Sequence, residues 1–185
     1  MSKIAQYRLI DLIAFFNSNF KDATIRNLMC FLHVLDYYHL REIGRPVTTL
    51  SYQANILGPI SDDLANAMKE EKAGYEFLYS LVSVDFPVNF LQSTYKINHD
   101  YLGDHITTRQ ERILLDLVSD YGETANMLAI ASRHWTMPWH QIYWSNRNRD
   151  EVIPPEQAFV GLREEGVLRE MYAEHLSMHR GVKVD

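Results

Sequence analysis

Residues 23–43, ATIRNLMCFLHVLDYYHLREI, decide how the rest of the chain is read. Ile25, Leu28, Leu32 and Leu35 recur at spacings of three and four, which is the period of one helix face. Asp22 or Thr24 can cap the start, because a short side-chain oxygen there accepts from a backbone N–H that the first turn leaves unpaired. Gly44 can end it, since glycine enters the left-handed region without a steric penalty. The expectation is a long helix with a buried seam. His33 and His39 lie on it, and Asp36 is placed to pair with either.

Upstream, Ile4 to Asn17 reads as a first amphipathic helix with Leu9, Leu12, Ile13 and Phe16 on one stripe. Downstream, Val47 to Leu57 interleaves β-branched residues and Tyr52 with polar ones, which suggests extended chain. Gly58-Pro59 then reads as the opening of a helix, with proline at its first position, where no N–H is needed. Asp62 and Asp63 suit the positive end of its dipole, and Ile60, Leu64, Ala67 and Met68 form its apolar face. Phe77 to Val84 and Thr94 to Asn98 read as two short strands of an antiparallel hairpin or wing, with Pro87 and Asn89 in the connection.

Thr108-Arg-Gln-Glu111 has the pattern of a capping box ahead of Ile113, Leu114, Leu117 and Val118, and Gly122 should stop that helix. Thr124 can cap the next, which carries Met127, Leu128 and Ala131 towards Trp135 until Pro138 breaks it. A loop through Trp144 and Asn148 follows. Pro154-Pro155-Glu156 opens a last helical region, weakened by roughly 1 kcal/mol at each of Gly161 and Gly166. Its positions Phe159, Leu162, Leu168, Met171, Tyr172 and Leu176 keep helical spacing. The sum is a mainly α fold with a small antiparallel β element, in one compact helical domain without repeats or linkers.

A chain of 185 residues suits one domain, and 46% hydrophobic content makes it globular rather than disordered. The single Cys30 cannot form an internal bridge and sits in an apolar run, as a small buried hydrophobe does. The apolar N-terminal positions are interrupted by Arg8 and Asp11, which does not fit a secretory signal. No run approaches the roughly 18 apolar residues that cross a bilayer. A cytoplasmic location is the default. A net charge of −6 argues against general nucleic-acid binding, which relies on clustered cations.

Two stretches carry a family likeness. From Leu28 to Met68 an apolar helix ends in Asp36-Tyr37-Tyr38-His39-Leu40. Gly44-Arg45-Pro46-Val47-Thr48, Tyr52 and Gly58-Pro59-Ile60 follow. From Thr107 to Phe159 come the capped helix, Tyr121-Gly122, the Leu128 helix, Pro138-Trp139 and Val152-Ile153-Pro154. The ordered set resembles the SocA-like Panacea domain over roughly residues 7–159. On this likeness Gly44, Thr48, Tyr52, Gly58, Pro59, Pro138, Trp139 and Pro154 are motif positions with structural roles. Where that family usually has Ser-His or Thr-His, this chain has Ser132-Arg133, with His134 one residue later. Residues 1–159 would form the Panacea-like domain, and 160–185 a C-terminal helical extension packed on it or trailing from it.

The resemblance implies an antitoxin of prokaryotic or phage type. Such a protein neutralises a cognate toxin by protein–protein contact without a catalytic step. One variant within the family hands its toxin to a protease. No cofactor and no metal are expected.

The residues themselves offer little chemistry. There is no nucleophile elbow, phosphate loop or dinucleotide glycine fingerprint. His175 and His179, four apart, share one face of a helix, but the spacing is not HExxH and no cysteine pair accompanies it, so a surface helix is the simpler account than a zinc site. Trp135, Trp139, Tyr143 and Trp144 crowd together near Arg147, and Trp, Tyr and Arg are the types enriched at binding hot spots. Tyr37, Tyr38 and Arg41 form a second candidate partner-binding patch. Two other readings stay open: a DNA-binding regulator of its own operon, built on a wing, and a small metal-dependent hydrolase using His134, His140 or the His175/His179 pair.

Overall fold

Thr24 and Gly44 bracket the long helix as their chemistry requires. The Thr24 hydroxyl accepts from the Asn27 N–H at 3.2 Å, and the Gly44 N–H donates to the Leu40 carbonyl at 2.8 Å from a left-handed backbone (φ 66°). The computed structural model describes residues 2–21, 23–69, 76–85, 93–145 and 150–180. In chain order these form α1 (Lys3–Asn19), α2 (Ile25–Ile43), β1 (Gln53–Asn55), β2 (Gly58–Ile60), α3 (Asp62–Lys69) and α4 (Glu76–Leu81). Then come β3 (Val82–Asp85), β4 (Thr94–Ile97), α5 (Thr108–Tyr121), α6 (Ala125–Ala131), the one-turn α7 (Pro138–His140) and α8 (Glu165–Arg180). A wide π-type turn, Gln141–Ser145, continues α7, and a 3-10 turn spans Pro155–Phe159.

Helix α2 is the axis of the fold. Its side chains are buried around nearly the whole circumference, from Ile25 through Tyr37 and on to Leu40. A helix that is apolar on all sides must be surrounded. Accordingly α1, α5, α6, α8, β2 and the 3-10 turn all pack on it. Phe16, Phe20 and Phe31 lock α1 to α2, with ring centroids 4.8 to 5.5 Å apart. On the far side of α1 the buried Asp11 meets His99 Nε2 at 3.4 Å and His105 Nδ1 at 3.3 Å, which ties the segment after β4 to the helix.

Five expectations are corrected. Gly58-Pro59-Ile60 is a strand, not a helix opening: it pairs antiparallel with β1 in the register Gln53–Ile60, Ala54–Pro59, Asn55–Gly58. The helix begins at Asp62, after Ser61. Pro59 is tolerated because its partner Ala54 spends its own backbone groups elsewhere. The Ala54 N–H donates to Glu151 O at 2.8 Å, and its carbonyl accepts from the Asp150 N–H at 2.9 Å, so no donor is asked of the proline.

Secondly, 76–81 are helical against α3, and only Val82–Asp85 join Thr94–Ile97 in a hairpin. Pro87 and Asn89 lie outside the described residues. Thirdly, the capping box sits one residue earlier than Thr108. The Thr107 hydroxyl accepts from the Gln110 N–H at 3.3 Å while the Gln110 side chain accepts from the Thr107 N–H at 3.0 Å. Fourthly, α6 ends at Ala131, well before Trp135, and Pro138 starts a turn rather than breaking a helix. The last region is also split. The 3-10 turn stops at Phe159, and α8 starts at Glu165 beyond the left-handed Gly161 (φ 77°).

Candidate functional site

The C-terminal end of α2 builds one side of a cleft. Asp36 is 5% exposed, and a carboxylate so deep needs its lone pairs filled. Its Oδ1 accepts from the Val47 N–H at 2.7 Å and the Thr48 N–H at 2.8 Å. Its Oδ2 accepts from the hydroxyls of Thr48 and, at 3.3 Å, Tyr52. Burial pushes this carboxyl up to about 6, against the pull of those four hydrogen bonds. Asp36 therefore pairs with neither His33 nor His39; it pins the chain after Gly44. The His39 Nδ1 bonds the Arg45 carbonyl at 2.6 Å instead.

Three motif positions acquire reasons here. Thr48 and Tyr52 are the hydroxyl donors to Asp36. Gly44 turns the chain with positive φ, and a Cβ on it would stand 2.7 Å from the Leu168 carbonyl and 2.9 Å from the Met171 Cβ. Helix α8 thus crosses the end of α2 at a point where only glycine fits.

The cleft, about 410 Å³, opens between α2, residues 46–52, the 3-10 turn and α8. Its floor includes His33 and Tyr52, whose rings meet edge-on at 5.1 Å. Opposite stand Pro154, Pro155, Ala158 and Tyr172. The 150–153 segment that leads into Pro154 is held beside β1: the Ile153 N–H donates to Tyr52 O at 2.7 Å, and Gln53 forms an isolated bridge with Val152. Burial lowers the His33 imidazole to about 4. Its Nδ1 makes no hydrogen bond.

The aromatic segment is divided by burial. Trp139 is 3% exposed; its indole N–H donates to the Asn55 carbonyl at 2.8 Å, and Tyr143 stacks on it at 4.7 Å. Both belong to the core. Trp135 and Trp144 are 68% and 60% exposed, and Trp144 packs edge-on against Tyr143. Arg147 lies outside the described residues. In the second patch Tyr37 is buried, with its hydroxyl 3.4 Å from the Thr136 carbonyl. Arg41 lies over the Tyr37 ring and donates to the Ala158 carbonyl at 3.2 Å. Tyr38 alone of the three is exposed.

Gly58 (φ 122°) brings the hairpin to within 3.2 Å of the Cys30 Sγ and 3.7 Å of the Ser132 Oγ, measured from where its Cβ would sit. Arg133 reaches back to the Ala129 carbonyl at 2.9 Å and closes the end of α6. Cys30 is buried, and desolvation pushes its thiol up, the opposite of what nucleophilic work needs. His175 stands in the cleft wall beside Tyr172, while the His179 side chain lies outside the described residues. Among the described residues no group of three His, Cys, Asp or Glu side chains is arranged to hold a metal ion, and no helix is long and apolar enough to cross a membrane.

A helical scaffold around one buried axis, with a recessed apolar cleft and two outward indoles, is the class of protein that fold and site define. The chain belongs to the antitoxin SocA-like, Panacea domain family, whose model matches residues 28–140. That span runs from the first turn of α2 to the end of α7 and includes Asp36, Gly44, Thr48, Tyr52, Gly58, Pro59 and Trp139. Pro154 and the far wall of the cleft lie beyond it. No curated protein and no solved structure matches the chain.

Sequence reasoning missed the Asp36 anchor and the cleft. A signal for the anchor existed: Asp36 follows Leu32 by four residues, on the buried seam, where an unpaired carboxylate is too costly to leave. Nothing local announced the cleft, whose walls come from segments far apart in the chain.

Proposed function

We propose that this protein is a cytoplasmic antitoxin that neutralises a partner toxin by direct protein–protein binding, without catalysis. Membership of the antitoxin SocA-like family carries the reading. The contact surface we assign centres on Trp135 and Trp144, with Tyr38 and Arg41 as a second patch and Arg147, three positions after Trp144 in sequence, as a further candidate. Exposed tryptophans on a rigid base are the type of anchor that dominates binding energy, and Trp144 rests on the Trp139–Tyr143 stack. Occlusion of the toxin and its delivery to a protease would both begin from this contact.

Coexpression with the neighbouring reading frame tests the proposal. That product should be toxic alone and tolerated beside this chain, and it should copurify with it. A neighbour that is harmless alone, or a toxic one that this chain neither binds nor relieves, would remove the reading. If toxin levels fall during rescue and recover in a protease-deficient host, delivery rather than occlusion is the route.

A further inference from the structure

We propose that a second pocket, where α1, the end of α2 and the start of α5 meet, binds a phosphate group carried by a small molecule. It adjoins the cleft, sharing Pro46 and His175 with it, and encloses about 410 Å³. Arg8 of α1, Arg45 after α2 and Arg109 of α5 line it, with His39 and His175 on two further sides. Among the described residues no Asp or Glu lines it. In a chain of net charge −6 this is a local reversal of sign, and recessed positive charge draws anions in.

The carboxylates nearby do not cancel these charges. Glu42 is held by Arg112 Nη2 at 2.6 and 2.7 Å, while Arg109 Nε stands 4.0 Å from it. Glu174 meets Arg45 at 3.6 Å with both side chains largely in water, an arrangement that contributes little. Asp11, one turn along α1 from Arg8, is engaged by His99 and His105. Arg8 itself donates to two backbone carbonyls, of His105 at 3.1 Å and Val47 at 3.4 Å. Those bonds fix its guanidinium and leave the charge uncompensated.

The neutral groups of the lining have donors to spare. The Thr107 hydroxyl oxygen accepts from the Gln110 N–H, and the Gln110 amide oxygen accepts from the Thr107 N–H. Each side chain keeps hydrogens to give. Both stand at the N-terminus of α5, a 14-residue helix whose dipole adds positive potential there. A phosphate ester carries nearly two negative charges at neutral pH and three acceptor oxygens. Arginine pairs with such oxygens through two N–H groups at once. A lone carboxylate would leave many of these donors unused.

Inorganic phosphate is the probe, titrated against the full chain at constant ionic strength and about pH 8, where it is a dianion, and followed by NMR. Saturable shifts should appear at Arg8, His39, Arg45 and residues 107–110, and acetate should bind at least tenfold more weakly. Burial holds the His39 imidazole low against its bond to the Arg45 carbonyl, and Glu42, Arg8 and Arg109 act on it through their charges. A dianion bound among them should raise its titration midpoint. Arg45→Gln with Arg109→Gln, at side chains 40% and 53% exposed, should keep the melting temperature and weaken phosphate at least tenfold, as loss of two charge-assisted contacts does. Arg109→Glu alone replaces the pair if the pair is unstable. Lys96→Gln with Arg163→Gln removes the same charge elsewhere and should bind as the wild type does. Absence of saturable shifts, equal binding of acetate, or equal loss in the Lys96/Arg163 pair would each overturn the assignment. So would displacement of phosphate by the captured partner protein together with loss of capture in the Arg45/Arg109 pair, which would give the pocket to an acidic side chain of that partner. The phosphate titrations need no partner, so their outcome is independent of the antitoxin reading.

Discussion

The chain after α2 and the chain after α6 solve the same problem in different ways. In both, a helix ends and the backbone must be fixed to the body of the protein. At 44–52 a buried carboxylate takes donors from Val47, Thr48 and Tyr52, and every polar group it commands is turned inward. At 132–145 the pin is aromatic: one indole N–H bonds to Asn55, Tyr143 stacks on that indole, and two further indoles remain outside. A polar anchor is exhausted by the work of anchoring. An aromatic pin leaves neighbouring surface free, which is why the two regions suit a sheltered cleft and an exposed rim respectively.

Breaking the aromatic pin should have the largest effect. Trp139→Ala empties the core beneath Tyr143 and should cost about 4 kcal/mol by chemical denaturation, in line with other large-to-small core changes. Asp36→Ala should follow at about 3 kcal/mol, because the Val47 and Thr48 N–H groups lose a buried acceptor. A loss below about 1 kcal/mol would mean that water replaces the carboxylate and that the anchor is less dry than Asp36's burial implies.

His33→Leu sharpens the contrast, since it removes an unsatisfied polar group from a sheltered site. It should stabilise the protein by about 1 kcal/mol at pH 7. The gain should grow on acidification. His33 is held at about 4 when folded, below its unfolded value, so the unfolded chain binds the extra proton and wild-type stability falls as pH drops from 6.5 towards 4. By pH 4 the variant should lead by a further ~3 kcal/mol. Asp36 has the opposite sign. Raised to about 6, its carboxyl takes up a proton on folding between pH 6 and 3.8, and stability rises as pH falls through that window. In the wild type the two slopes offset each other, and His33→Leu should unmask the carboxylate's. A pH series of denaturation midpoints reads both.

The smallest effect on stability is expected at the rim. Trp135→Ala and Trp144→Ala should shift stability by less than about 0.5 kcal/mol, while the pair together should weaken partner capture at least tenfold, as loss of hot-spot residues does. Normal capture by the folded double variant would move the contact surface to Tyr38 and Arg41.

What could be read from the sequence follows from what is local. Helices α1, α2 and α5 were legible because their apolar period runs through several turns and their caps sit within four residues. The Gly58-Pro59 hairpin was not, because three residues hold too little alternation to compete with a familiar helix-opening pair. Its pairing depends on Asp150 and Glu151, which take up the backbone of Ala54 from far along the chain. The overlapping boxes Thr107/Gln110 and Thr108/Glu111 differ by one residue, and packing chose the first. At the site, residue type announced an aromatic cluster but not its division. Trp139 and Trp144 are alike as letters, and only the position of Asn55 decides which indole goes in.

The bond between Asn55 and Asp150 joins positions 95 apart in sequence, and with Tyr52–Ile153 it makes the returning segment the last part of this β layer to be synthesised. A chain emerging from the ribosome can wind α2 and close the short hairpin early. The outer edge of β1 then stays open until residues 150–153 have been made. Contacts of such long loop length slow folding, and an unpaired strand edge invites pairing with other chains. Any shortening before residue 150 should therefore yield a protein that assembles its centre yet sticks to its own copies.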